Sequence, residues 1–265
     1  MKDALLRCLG EQYPWIDRIR CFSSIDSTND HLKTLARQGA PHGTAVLSGH
    51  QTNGHGRRGR SFHSPEGKGI YLSILLRPDC RPTELMHLTC ATAVAMCNAV
   101  ETVAGIRPGI KWTNDLVVGK RKLGGILTEL SLTQNGMVDY AIIGIGINCS
   151  QAEGDFPPEI REIACSLDMV TGRKNELSVL AAAMLENLYS MDQILLSHKE
   201  SLLDQYRADC ITLGQEVSLV RGEEVRHGKA LSVDLEGALV VAFSDGSVEA
   251  VTSGEISVRG MYGYV

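Results

Sequence analysis

The chain has 265 residues, 43% of them hydrophobic and 22% charged, with a formal net charge of -5. That length and balance describe one large or two unequal globular domains and exclude a disordered chain, while the acidic balance argues against non-specific nucleic-acid binding. No apolar run approaches the about 18 residues of a membrane span, and MKDALLRCLGEQYP at the start lacks the apolar core and cleavage site of a signal peptide. A cytoplasmic protein is expected. The eight cysteines include no C-x-x-C pair, so buried reduced thiols are expected rather than a zinc site or a disulfide framework.

In chain order, STNDHLKTLARQ (27–38) places capping residues ahead of Leu32, Leu35 and Ala36, which predicts a short helix with one apolar face. TAVLSG (44–49) and GIYLSILLR (69–77) read as strands on either side of a loop. Residues 83–104 carry a long helical pattern, 109–130 predict strand, turn and strand, and 139–150 predict a further strand pair. From 177 to 208 the pattern is helical again, with Leu180, Met184, Leu188, Met191 and Leu195 on about one face. Then EVSLV, ALVVAF, SVEAV and EISVR alternate between the turn signals RGEE, LEG, SDG and TSG, which predicts a small β-barrel of SH3-like size beyond a boundary near 213. The expected fold is α+β: a mixed sheet with helices over 1–213, followed by the β-domain over 214–265.

The loop between the first two strands, TNGHGRRGRSFHSPEGKG (52–69), holds five glycines and three arginines. Glycine loses the most backbone entropy on ordering, so something must offset that cost. Gly54, Gly56 and Gly59 formally fit G-x-G-x-x-G, but the dinucleotide fingerprint needs a helix directly after it, and RSFHSPEGKG is loop. A Walker A motif is absent. Arg57, Arg58, Arg60 and Lys68 stand against Glu66 alone, and Arg107, Lys111, Lys120, Arg121 and Lys122 stand against Asp115. Two basic islands in an acidic chain point to a focused phosphate site, with a solvated surface loop as the alternative on charge alone. The second island also carries KWTNDL (111–116) and RKLGGILTEL (121–130), which supply an aromatic, oxygen ligands suited to magnesium and a charge beside close-approach glycines.

Together with STND (27–30), QTNGHGRRGR (51–60), SPEGKGIYLSILLRP (64–78) and GIGIN (144–148), these motifs resemble the biotin protein ligases, also called biotin–acetyl-CoA-carboxylase ligases. The resemblance spans roughly residues 20–260. It implies a mixed sheet related to class II aminoacyl-tRNA synthetase catalytic domains, followed by an SH3-like domain. It also implies a two-step reaction in which biotin and Mg-ATP give biotinoyl-5'-AMP, which acylates one lysine of a biotin carboxyl carrier protein. The Gly/Arg loop resembles the one that orders over the adenylate, so that ligand contacts would offset its entropy.

By that resemblance Ser27, Thr28, Asn29, Gln51, Gly54, His55, Gly125 and Gly144 fall on biotin-site positions. Arg57 and Lys122 match the residues that retain the adenylate and bridge the biotin carboxylate to the α-phosphate. Arg58, Arg60, Lys111, Trp112, Asn114 and Asn148 fall on the nucleotide side, with Asp115 as the Mg2+ ligand. Two positions depart from the pattern. His55 stands where the loop usually has arginine, and Thr113 where the second island usually has proline. An adenine-covering segment is expected at about 150–166, including Phe156.

Some relatives carry an N-terminal helix-turn-helix domain, and only 26 residues precede Ser27, so no DNA binding through such a domain is expected. Exposed sheet edges leave a homodimer open. Two other readings stand beside the ligase: transfer of lipoyl or octanoyl groups on a related fold, and a non-catalytic biotin or nucleotide sensor.

Overall fold

The computed structural model describes residues 2–221, 223–252 and 257–260. An amphipathic helix α1 (Lys2–Leu9) opens the chain and leads to β1 (Ile19–Phe22), neither of which stood out in the sequence. Helix α2 (Thr28–Arg37) starts where expected: Ser27 is its N-cap, and the serine side chain accepts a hydrogen bond from the Asp30 amide. Strands β2 (Ala45–Ser48) and β3 (Gly69–Leu76) flank the Gly/Arg loop.

The pattern at 83–104 divides into a 3-10 turn (Pro82–Leu85) and helix α3 (Leu88–Ala104). The break has a polar cause, because His87 is fully buried and its Nε2 donates to the Leu195 carbonyl at 2.8 Å. The span 109–130 forms three strands rather than two: β4 (Gly109–Lys111), β5 (Asp115–Val118) and β6 (Arg121–Leu132). Residues 139–150 form one strand, β7 (Val138–Asn148), rather than a pair. Gly144 and Gly146 do not turn there. They lie extended between β3 and β6 in mid-sheet, where a missing Cβ makes room for other side chains.

A short helix α4 (Leu167–Thr171) follows, and the helical stretch 177–208 divides into α5 (Leu177–Ile194) and α6 (Lys199–Asp209). The small domain contains β8 (Glu216–Arg221), β9 (Glu224–Val233), β10 (Leu239–Phe243), β11 (Val248–Val251) and β12 (Ser257–Gly260). Strand β9 was hidden in the sequence by its charges and by Gly228, whose missing Cβ admits the Ala242 carbonyl. The turn and strand expected at 252–259 lie partly outside the described residues.

Seven strands form a mixed sheet in the order β1-β2-β3-β7-β6-β5-β4, in which only β1 and β2 run parallel; five form the antiparallel C-terminal sheet β11-β10-β9-β8-β12. The core lies where α3, α5 and α1 pack on one face of the large sheet, with Leu72, Ile74, Val94, Met184, Leu185 and Ile143 almost fully buried. Helix α2 covers part of the opposite face through Leu32 and Ala36, against Val46, Leu75 and Ile142. Burial of apolar surface at about 25 cal/mol per Å² drives this packing. No helix among the described residues is long and apolar enough to cross a membrane.

Two predictions follow from this packing. Cys8 is exposed and Cys21 half-buried, whereas Cys80, Cys90, Cys97, Cys149, Cys165 and Cys210 are buried, and burial pushes the thiols of Cys90, Cys97 and Cys149 up to about 12. Since the thiolate is the reactive form, a thiol reagent at pH 8 should label Cys8 first and Cys21 slowly, and the other six only in denaturant. Early labelling of the buried set, read by mass spectrometry, would contradict the core. A Cβ at Gly144 would lie 2.2 Å from Asn29 Oδ1. Gly144→Ala should therefore lower unfolding stability by about 1–3 kcal/mol through overpacking, measured by urea titration.

Candidate active site

One cleft gathers residues from sequence positions far apart: Ser27, Thr28 and Asn29, Gln51, the loop at 55–57, Phe62, Asn114, Lys122, and the facing strands β6 and β7. Its polar end is built at the start of α2. The Thr28 amide and hydroxyl both donate to Gln51 Oε1, at 2.9 and 3.0 Å, and Gln51 Nε2 donates to Ser64 Oγ at 3.1 Å. Asn29 donates through Nδ2 to Glu129 at 2.8 Å and accepts through Oδ1 from Ser73 Oγ at 2.5 Å. Ser27, Thr28 and Asn29 are only 1%, 4% and 4% exposed, so these bonds fix their orientation away from water.

The Gly/Arg loop folds back on itself as an arch. Phe62 N donates to Gly54 O at 2.8 Å and Gly56 N to Arg60 O at 2.6 Å, with a one-turn 3-10 helix at Arg57–Gly59. Arg58 (φ 58°) and Gly59 (φ 73°) are left-handed, a region costly for arginine and free for glycine. Gly54 lies behind the cleft, because a Cβ there would fall 2.7 Å from the Phe62 carbonyl. Arg57 points inward and donates to Asn114 Oδ1 at 2.8 Å. Burial lowers the pKa of its guanidinium, partly offset by the charge of Asp115, yet arginine remains protonated.

Lys122 is held through both backbone and side chain. Its amide donates to the Ile163 carbonyl and its carbonyl accepts from Cys165, while its ammonium donates to Asp115 Oδ1 at 2.6 Å. The β5–β6 register shifts between Leu116 and Val117. Gly125 stands opposite Asp115, and its absent Cβ would lie 3.1 Å from Lys122 Nζ. A side chain there would press on the end of Lys122 by a few tenths of an ångström.

The β6–β7 register orders the cleft lengthwise. Leu127 faces Gly144, beneath Asn29, and Gly125 faces Gly146, beneath Phe62 and beside Lys122. Two residues along a strand span about 7 Å. An uncharged polar end, a middle made by the Leu127 side chain, the Phe62 ring and the backbone of Ile126 and Ile145, and a cationic end at Arg57 and Lys122 therefore follow one another within a small-molecule length. The arrangement suits a ligand with a polar head, an apolar middle and an anionic tail.

Other residues named from the sequence fall outside this lining. Arg58 and Arg60 are exposed at the arch. Trp112 is 5% exposed and its indole NH donates to the Gly237 carbonyl, so it joins the two sheets rather than facing the cleft. Lys111 pairs with Asp115 in the β4–β5 register. Asn148 donates to the Cys165 carbonyl and accepts from Gln151, which makes it a support of the 149–165 segment. Phe156 is buried and tilted toward the His63 ring. Sequence reading missed Phe62, Ile126, Leu127, Ile145, Ser73 and Glu129. Only Phe62 had a visible signal, as a lone aromatic in a glycine-rich loop.

Comparison with known proteins agrees with this geometry. Residues 21–148 match the biotin/lipoate A/B protein ligase family and residues 212–259 the biotin protein ligase C terminal domain. The bifunctional ligase/repressor BirA of Bacillus subtilis is 35% identical over 246 residues, covering 88% of this chain and 72% of that one. The biotin–acetyl-CoA-carboxylase ligase of Mycobacterium tuberculosis is 28% identical over 237 residues, covering 87% and 85%. The biotin protein ligase of Aquifex aeolicus in complex with biotin and ATP superimposes with a TM-score of 0.77 at 30% identity, covering 91% of this chain and 98% of that one. With these motifs in one cleft and these relatives across most of its length, the chain belongs to the biotin protein ligase family.

Proposed function

We propose that this chain activates biotin with Mg-ATP to biotinoyl-5'-AMP and then passes the acyl group to a lysine of a biotin carboxyl carrier domain. The observation that carries this reading is the convergence of Arg57 and Lys122 on the far end of a cleft whose near end is polar and uncharged. Biotin's ureido head suits Gln51 and the hydroxyl and amide groups of Ser27, Thr28 and Asn29; its apolar chain suits Leu127, the Phe62 ring and the glycine floor of β6 and β7. Its carboxylate then arrives beside Lys122.

In the first step a carboxylate oxygen bonds to the α-phosphorus and pyrophosphate departs. Both reactants are anions, so Lys122 reduces their repulsion and stabilises charge that builds in the transition state. In the protein alone Lys122 is held by Asp115 and Arg57 by Asn114, neighbouring residues at the start of β5. The ligand exchanges these partners instead of recruiting distant cations, which limits reorganisation. In the second step the carrier lysine's neutral amine attacks the acyl carbon and AMP departs. No enzyme nucleophile is required. The arch, lying over the cleft, keeps water from the mixed anhydride.

Among the described residues no group of three or more His, Cys, Asp and Glu side chains could hold a metal by itself. Asp115, with the Asn114 amide oxygen, fits an ion that arrives on ATP phosphates, since magnesium is commonly held by one or two carboxylates plus phosphate oxygens. Bound there it would neutralise phosphate charge. The small domain meets the catalytic sheet through Trp112 and through Arg207, which donates to the Val233 carbonyl at 2.7 Å.

The first test is pyrophosphate release with Mg-ATP and biotin, lipoate or octanoate, followed by transfer to a carrier domain. Biotin-dependent release with transfer is expected; turnover with lipoate alone would refute the choice of acid. Lys122→Ala should slow release at least about 100-fold with the fold intact, a loss typical of removing one electrostatic stabiliser. Near-normal release would remove its role. Arg57→Gly should speed escape of the adenylate, seen as labelling of bystander lysines, and unchanged dissociation would refute that assignment.

A further inference from the structure

His55, the residue that departs from the family's loop pattern, leads to a set of contacts beyond the cleft lining. Its Nε2 donates to Asp30 Oδ2 at 2.8 Å, which ties the arch to the first turn of α2. The other oxygen of Asp30 accepts from Lys33 Nζ at 3.0 Å. Lys33 Nζ also reaches Glu129 Oε1 at 2.8 Å, across to β6. Glu129 Oε2 in turn accepts from Asn29 Nδ2 at 2.8 Å, the amide that lies over Gly144 on the cleft floor. Donors and acceptors alternate without a gap from the arch to the floor.

We propose that Asp30, Lys33 and Glu129 are positioning residues that latch the Gly/Arg arch, through His55, to the cleft floor at Asn29. The consequence for turnover rests on the ligase reading; the latch itself does not.

Three features support it. Each bidentate member serves one partner on each side: Asp30 spends one oxygen on His55 and one on Lys33, and Glu129 spends one on Lys33 and one on Asn29. Burial alone would raise the Asp30 carboxyl, but hydrogen bonds from Lys33 and His55 outweigh it and hold the group below its ordinary range. Burial alone would lower the Lys33 ammonium, and hydrogen bonds from Glu129 and Asp30 raise it instead. Both groups are thus held in their charged forms by each other. The chain also ends on Asn29, whose amide is fixed because Glu129 takes its NH2 and Ser73 donates to its oxygen. Lys33 is the cation between the two carboxylates, so moving it removes the counter-charge that orients Glu129 toward Asn29 and Asp30 toward the arch.

The His55–Asp30 contact is the weak member, since its two side chains are 37% and 40% exposed. That suits a latch that must open for substrate entry. Pairs of such exposure are worth about 0.2–1 kcal/mol, so breaking this one should open the arch about 1.4- to fivefold more often.

Arg57, Arg58 and Arg60 make trypsin a direct reporter of an open arch, with no substrate needed. Cuts after these three arginines would be followed by mass spectrometry in the full chain, the Asp30→Asn and His55→Ala variants and their double variant, with melting temperatures alongside. The expected result is a cut about 1.4- to fivefold faster in either single variant and no further gain in the double, because both remove one link. Lys33→Met should speed the cut and also raise the KM for biotin while leaving kcat near normal, which loss of a mere surface ion pair would not do. His55→Gln, at an exposed position, keeps a donor and should cut at close to the wild-type rate, which guards against a folding defect.

Unchanged cutting in both single variants, or effects that multiply in the double, would overturn the latch. An unchanged biotin KM in Lys33→Met would overturn its reach to the floor. Absence of biotin-dependent pyrophosphate release would refute the ligase reading and leave the trypsin result standing.

Discussion

The structure depends on placing two cations, Arg57 and Lys122, against one small cleft. The protein does so with β5. Asn114 and Asp115 are adjacent at its start, and each takes one cation, by a neutral amide for the arginine and a carboxylate for the lysine.

That placement needs backbone room, and the large sheet supplies it through glycines in extended conformation. Gly125 lies beside the Lys122 ammonium, Gly144 admits the Asn29 amide, and Gly146 admits the Phe62 ring. A Cβ at Gly144 or Gly146 would displace the Asn29 amide or the Phe62 ring, and one at Gly125 would press on the Lys122 side chain. These glycines weaken the strands that carry them. The cost is borne in mid-sheet, where β3, β7 and β6 pair over long registers and the helices α3 and α5 cover the face behind.

The Gly/Arg arch then has two kinds of support. Its own backbone bonds give it a shape, with Arg58 and Gly59 in the left-handed region. Its side chains give it a position, through Arg57 to β5 and His55 to α2. The energetic cost of ordering so many glycines is therefore met partly by the protein and partly left for the ligand. An arch held entirely by protein contacts would not open, and one held by none would not exclude water.

The sequence by itself determined the class of fold, the helix beginning at Ser27, the loop between two strands, the alternating strands of the C-terminal region, and the motif set that marks the family. These are local properties: capping chemistry, hydrophobic period and the φ demands of glycine act within a few residues. Tertiary structure alone decided three things. Residues 139–150 stay one strand because they pair along their length with β3 and β6, distant segments of the chain, not because of any local turn preference. The pattern at 83–104 breaks because His87 takes a carbonyl at Leu195, more than a hundred residues away. Trp112 and Asn148, read as nucleotide-facing from their motifs, are spent on Gly237 and Cys165, whereas Glu129 and Ser73, which carry no motif, orient Asn29. A motif states which chemistry is available; the partner each polar atom finds when water is withdrawn depends on contacts that sequence spacing does not encode.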